Sequence, residues 1–140
     1  MGCMVLGFFE IIQNLPQVVV TLVDGPAFAR GLGIISASDI VVVTKNAKFS
    51  ISETSVGLVP AQIAPFVMKR IALSMARYLM LTGLRFSGER ALSIGLANLL
   101  VEDGGLDEAL RQIKADVNSC APGANRSTKM ILMEMMFCQK

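Results

Sequence analysis

VVVTLVDGPAFARGLGIISASDIVVVTKNAKFSISE, residues 18–53, is the stretch that decides how this chain folds. Val18 to Val23 is an apolar, β-branched run of the kind that forms a strand buried on both faces. Asp24-Gly25-Pro26 then turns the chain, because Gly permits positive φ and Pro fixes φ and removes a donor. A small-residue loop, Ala27 to Gly31, leads to a short helix predicted over Leu32 to Ser38. Ile40 to Val43 is a second β-branched run. Strand, loop, short helix and strand make a crossover unit, for which parallel pairing and a right-handed connection are the default. The loop ahead of the helix aims unpaired backbone N–H groups forward, a place to hold negative charge.

Outward from this unit, Val5 to Asn14 reads as a helix ended by Leu15-Pro16. Lys48 to Ser52 alternates enough for another strand, and Val56 to Pro65 carries two prolines and a glycine and reads as irregular. Phe66 to Ala72 reads as a helix. Ser74 is the expected N-cap of Met75 to Leu81, closed by Gly83, and Ser87 that of Gly88 to Ile94, closed by Gly95. Ala97 to Val101 is extended. Leu106, Ala109, Leu110, Ile113 and Val117 form the clearest amphipathic stripe. A last helix, Ala124 to Phe137, has more apolar positions than one solvated face explains.

The 140 residues suffice for one domain and are too few for two. Hydrophobic residues make up 53% and charged ones 17%, against about 25% charged in an average soluble domain. So little charge on so small a body implies apolar area covered by something else, an oligomer or a larger protein. Net charge is +2 with the basic residues scattered, which argues against a nucleic-acid partner. Glu10, Asp24, Arg30 and Asp39 break every run that approaches membrane-spanning length. The N-terminal sequence lacks the basic region of a signal peptide, and Leu6 breaks the myristoylation pattern. Cys3, Cys120 and Cys138 are too far apart for a zinc site and odd in number for a disulfide framework. The absence of histidine excludes Ser-His and Cys-His nucleophile systems within the chain. The expected setting is a reducing interior, the cytoplasm, or the mitochondrial matrix in a eukaryote.

Among residues that could do chemistry, Glu53 is the one carboxylate in a long apolar context, with no basic residue between Lys48 and Lys69. Burial without a cation raises a carboxyl pKa and suits a general acid or base; an exposed loop glutamate is the plainer alternative. Asp39 fits a structural role between helix and strand. Gly31-Leu32-Gly33-Ile34-Ile35-Ser36 matches the dinucleotide fingerprint only in part, its last glycine being Ser. The methionines of the last helix read as packing.

VDGPAFARGLGIISASDIVVVTKNAKFSISETSVGLVP, followed by ARYLMLTGLRFSGERALSIGLANLLV, resembles the crotonase, or enoyl-CoA hydratase/isomerase, superfamily. The resemblance runs from about Leu15 to the C-terminus. It implies an α/β fold, a truncated ββα spiral with C-terminal helices, in which 1–100 form the spiral portion and 101–140 the helical region. It implies an acyl-CoA thioester as partner, coenzyme A entering as part of the substrate with no separate cofactor or metal. Assembly as a trimer or hexamer, or with a full-length paralogue, is also implied. The oxyanion donor falls on the Arg30 backbone N–H within Ala29-Arg30-Gly31, and the acid/base carboxylate on Glu53. Lys129 falls where relatives place a basic residue near the CoA phosphates, a solvated helix face being the other reading.

Three departures from the pattern stand out. Gly33 replaces the family's other hydratase glutamate, Arg30 brings a long side chain to a glycine position, and about half of the family fold is missing ahead of Met1. Gly33 together with VPAQIAPFV resembles a branch acting on methylglutaconyl-CoA and isohexenylglutaconyl-CoA, with some likeness to dehydratases of polyketide β-branching. There a substrate carboxylate or a water network would compensate for the absent glutamate. The expected function is hydration or dehydration of a branched enoyl-CoA. The alternatives are an enoyl-CoA isomerase working with one carboxylate, and an inactive truncated paralogue acting through oligomer packing.

Overall fold

The computed structural model describes residues 2–138, without the side chains of Cys3 and Phe137. Helix α1 (Gly2–Asn14) precedes strand β1 (Val20–Val23), strand β2 (Pro26–Phe28) and helix α2 (Arg30–Ala37). Strands β3 (Ile40–Thr44) and β4 (Lys48–Ser50) come next, then a 3-10 turn at Glu53–Val56 and helices α3 (Ala64–Arg70) and α4 (Leu73–Thr82). Strand β5 (Phe86–Ser87), helix α5 (Gly88–Ser93), strand β6 (Leu99–Val101) and helices α6 (Leu106–Asn118) and α7 (Pro122–Phe137) complete the chain.

The strands form two sheets, one ordered β1-β3-β6 and the other β2-β4-β5, with β1 to β4 alternating between them. β1, β2 and α2 make one strand–strand–helix turn; β3, β4 and the helices after them make the next. The expected spiral and the α/β class are therefore present. The β1–β3 pair is parallel, with Val20 opposite Ile40 and Val23 opposite Val43, as the crossover reading requires. β6 extends that sheet in parallel, Val43 opposite Leu100. In the second sheet β2 lies parallel to β4, and β5 closes it antiparallel.

β3 is the centre. Val41, Val42, Val43 and Thr44 are each 0% exposed, which is why four β-branched residues in a row are tolerated there. The core continues through Phe49 and Phe86, stacked at 5.3 Å between ring centroids, and through Leu32, Ile35, Phe66, Val67 and Leu79. The polar ends of the strands are tied by side chains. Thr44 Oγ1 donates to Asp24 Oδ1 at 2.8 Å, and Asp39 Oδ2 accepts from the Val19 N–H at 2.7 Å. Asp39 thus has the structural role expected of it.

Several local expectations are corrected. Residues 26–28, expected as turn and loop, form β2, because tertiary bonds from Lys48 N–H to Gly25 and from Ala29 N–H to Ser50 dock a segment with little propensity of its own. α2 begins at Arg30, earlier than Leu32, and β5 is too short to leave a pattern in the sequence. Ser74 does not cap α4; the helix starts at Leu73 with Ala72 as its N-cap and no side-chain bond. Ser87 does cap α5, accepting from the Arg90 N–H. Gly83 ends α4 at φ 60°, in the left-handed region as expected. α7 starts at Pro122, where a missing N–H costs nothing in the first turn.

Parts of the surface are left without partners. β1 and β2 each end a sheet, with no outer neighbour among the described residues. Met130, Ile131, Leu132 and Met135 of α7 are exposed, so the methionines expected as packing are not buried within this chain at positions 130 and 135.

Gly88 marks the tightest seam. A Cβ built there would lie 2.3 Å from the Thr44 carbonyl oxygen, a backbone atom that cannot move aside. Gly88→Ala should therefore destabilise the fold by about 2 kcal/mol, seen as a lower urea midpoint at unchanged slope.

Candidate active site

Parallel pairing of β2 with β4 puts their C-terminal ends side by side, Phe28 opposite Ser50. The segments leaving the two strands therefore emerge at the same edge of the sheet. After β2 comes the start of α2; after β4 come Ser52 and Glu53. The Ala29 N–H bonds the Ser50 carbonyl at 3.1 Å and the Leu32 N–H bonds the Ala29 carbonyl at 3.0 Å. Helix geometry leaves the N–H groups of Arg30 and Gly31 without intrahelical acceptors. They are the N–H groups on which the sequence reading placed the oxyanion donor. Ala29 reaches this position at φ 48° and ψ −113°, the one positive φ at a non-glycine residue among those described.

Glu53 heads the 3-10 turn, and its backbone carbonyl accepts from Leu58 N–H at 2.9 Å. Thr54 Oγ1, bonded to the Met80 carbonyl at 2.8 Å, fastens the same turn to α4. Glu53 Oε2 is shut off from solvent and has no hydrogen-bond partner. None of the ion pairs found among the described residues involves Glu53. An unpaired buried carboxylate oxygen is costly to a fold and calls for an explanation; among the described residues Ser36 Oγ is the other buried polar side-chain atom without a partner. Glu53 follows β4 as Arg30 follows β2, and those two strands end side by side.

Arg30 is exposed, so its backbone N–H can serve the site while its side chain meets solvent. Arg85 reaches over the Phe28 ring at 5.5 Å from the centroid, adding a second guanidinium to this end of the sheet. Gly31 makes only an ordinary approach to Ala27, since a Cβ added at Gly31 would lie 3.6 Å from the Ala27 Cβ.

Gly33 is different. A Cβ there would fall 2.4 Å from the nearest carbon of the Phe9 ring. Phe9 is 1% exposed and packs edge-on against Phe66, centroids 5.4 Å apart. The space beside Gly33 that would hold a substrate carboxylate or a water network is filled by an aromatic ring. Local spacing marks Phe9 only as one apolar position of the first helix, because nothing in it links residues 9 and 33.

Lys129 stands elsewhere. Its Nζ donates to Asp39 Oδ2 and to the Gln17 carbonyl, both at 2.7 Å, with the side chain 13% exposed. Asp39 lies beyond the C-terminal end of α2, about 12 Å along the helix from Arg30. In this chain Lys129 fastens α7 to the β1–β3 sheet. The nearby Arg70 donates to the Ser38 and Leu96 carbonyls and to Asn98 Oδ1. Burial pushes the Arg70 guanidinium pKa down, with Asp39 opposing. A cavity of about 530 Å³ beside these residues includes neither Arg30 nor Glu53.

The strain at Ala29 is testable. A non-glycine residue in this region costs of order 1–3 kcal/mol, whereas glycine adds roughly 0.4–1 kcal/mol of unfolded-chain entropy. Ala29→Gly should raise stability by about 1 kcal/mol, measured by urea unfolding.

Comparison with known proteins bears on the family and the fold. The sequence model of the enoyl-CoA hydratase/isomerase family matches residues 4–139. Carnitinyl-CoA dehydratase of Salmonella typhi is 31% identical over 89% of this chain and 48% of its own length. Among solved structures, AtuE of Pseudomonas aeruginosa is 40% identical with a TM-score of 0.90, over 92% of this chain and 50% of that one. An enoyl-CoA hydratase/isomerase from Marinobacter aquaeolei gives 34% and 0.91, over 94% and 50%. The chain spans about half the length of the relatives it matches. A match running almost end to end, on a shared spiral of strands and helices, has one explanation: the chain belongs to the enoyl-CoA hydratase/isomerase family.

Proposed function

We propose that this chain supplies the acid–base part of an acyl-CoA thioester site, with Glu53 as the proton carrier and the Arg30 N–H as oxyanion donor. The observation that carries the reading is the solvent-shielded, unpartnered Glu53 Oε2 at the strand end that also begins α2. A thioester carbonyl received by the first N–H groups of α2, framed by Ala29 and Gly31, becomes enolate-like as the reaction proceeds. Donors fixed in advance stabilise that oxygen without reorganising. In hydration, Glu53 takes a proton from the attacking water as its oxygen bonds the β-carbon, and returns that proton to the α-carbon. Dehydration is the reverse. The preferred substrate is a branched enoyl-CoA, and coenzyme A enters as part of it. The dehydratase name of the Salmonella relative supports an addition–elimination reaction on a CoA thioester.

Isomerisation is the second reading, and the packing of Phe9 on Gly33 favours it. One carboxylate suffices to move a proton from the γ-carbon to the α-carbon, and no water need be bound. A third reading, a non-catalytic paralogue packing into an oligomer, rests on the exposed apolar side of α7 and the open strands β1 and β2. Among the described residues no helix is long and apolar enough to cross a membrane, and no cluster of potential metal ligands is present.

Glu53→Gln should lower kcat by about 10²–10⁴-fold while leaving the circular-dichroism spectrum and unfolding midpoint close to those of the parent. Turnover in isotopically labelled water separates the two enzymatic readings. Label in a product hydroxyl identifies hydration, and its absence in a double-bond-shifted product identifies isomerisation. Equal turnover by Glu53→Gln would remove Glu53 from the mechanism.

A further inference from the structure

Gly33 lies one turn behind Arg30 on α2, so the two positions share a face of the helix. A glycine there would ordinarily leave a shelf running back from the oxyanion donor. The shelf is absent. Phe9 of α1 occupies it, with three ring carbons 2.4, 2.7 and 2.8 Å from where a Cβ would stand. The ring cannot retreat easily, because Phe66 meets it edge-on and Leu32 and Ile35 are buried in the same core cluster. Gln13, one turn beyond Phe9 on α1, is also buried and accepts from Lys69 Nζ at 3.4 Å, which helps fix α1 over α2.

We propose that Phe9 is a specificity-determining residue, the wall that sets how far an acyl group can extend along α2. The proposal rests on the acyl-CoA reading above. It assigns the site compact acyl groups, including short β-branched ones, and excludes long extended chains. A thioester whose oxygen sits at the Arg30 N–H directs part of its acyl group past Gly33, where it meets the ring. Gly33 is then required by Phe9, since any side chain at 33 and the ring compete for one volume.

The test compares crotonyl-CoA, a methyl-branched short enoyl-CoA and decenoyl-CoA, by calorimetric binding and by turnover, for the parent chain, Phe9→Leu and Phe9→Ala. Phe9→Leu keeps an apolar side chain should Phe9→Ala fail to fold. The expected result is a parent that takes the short thioesters, and variants whose preference moves towards decenoyl-CoA by at least tenfold. A parent that binds short thioesters while folded variants keep the same chain-length profile overturns the role of Phe9 and leaves the site reading standing. A parent and variants that are folded yet bind no acyl-CoA overturn both.

Discussion

Burial of β3 from Val41 to Thr44 is the constraint on which the other elements depend. Val41, Val42, Val43 and Thr44 have no exposed surface, so each of their backbone groups must be paired within the protein. β1 and β6 provide those partners on the two sides. Asn98 completes the start of the strand, its Oδ1 accepting from the Val41 N–H at 2.8 Å while its own N–H bonds the Val41 carbonyl at 2.8 Å. At the other end Thr44 bonds Asp24, and its carbonyl lies against Gly88 so closely that no side chain fits between them. The positions of β1, α5 and β6 are consequences of satisfying one dry strand.

The polar ties around that sheet obey the same requirement. Arg70 ends α3 and spends its guanidinium on two carbonyls and Asn98, joining the end of α2 to the start of β6. Asp39 receives Val19 N–H and Lys129 together. Removing one partner from such a cluster leaves others unpaired in partly buried surroundings, which costs more than the bond itself contributes. Glu53 is the contrast. Its shielded oxygen has no partner, an exception it shares with Ser36 Oγ among the described residues.

The apolar surface has a different origin. A chain of this length cannot bury a 53% hydrophobic composition by itself. The remainder collects on α7, on α1 and at residues 56–59, where Val59 is 81% exposed. β1 and β2 add unpaired edges carrying Val, Leu and Phe with no lysine to blunt them. These surfaces accord with a body that represents about half the length of its relatives.

Much of this is legible in the residues themselves. Two β-branched runs around a short helix dictate a parallel crossover, the glycines at 83 and 95 and the serine at 87 dictate helix ends, and the run from Asp24 to Pro60 carries the family likeness and with it Arg30 and Glu53. Such features are readable because their physics is local: propensity, periodicity, backbone freedom. β2 and β5 are hidden because short strands exist only where a neighbour supplies hydrogen bonds, and Ser74 misleads because the helix begins before it. Seating Phe9 on Gly33 and binding Lys129 to Asp39 took the folded chain, since each pair is far apart in sequence and meets through packing. The order of residues thus specifies the fold family and the two groups proposed for chemistry. Contacts across the core set the space around them, because volume in a packed interior is shared by residues that no spacing rule connects.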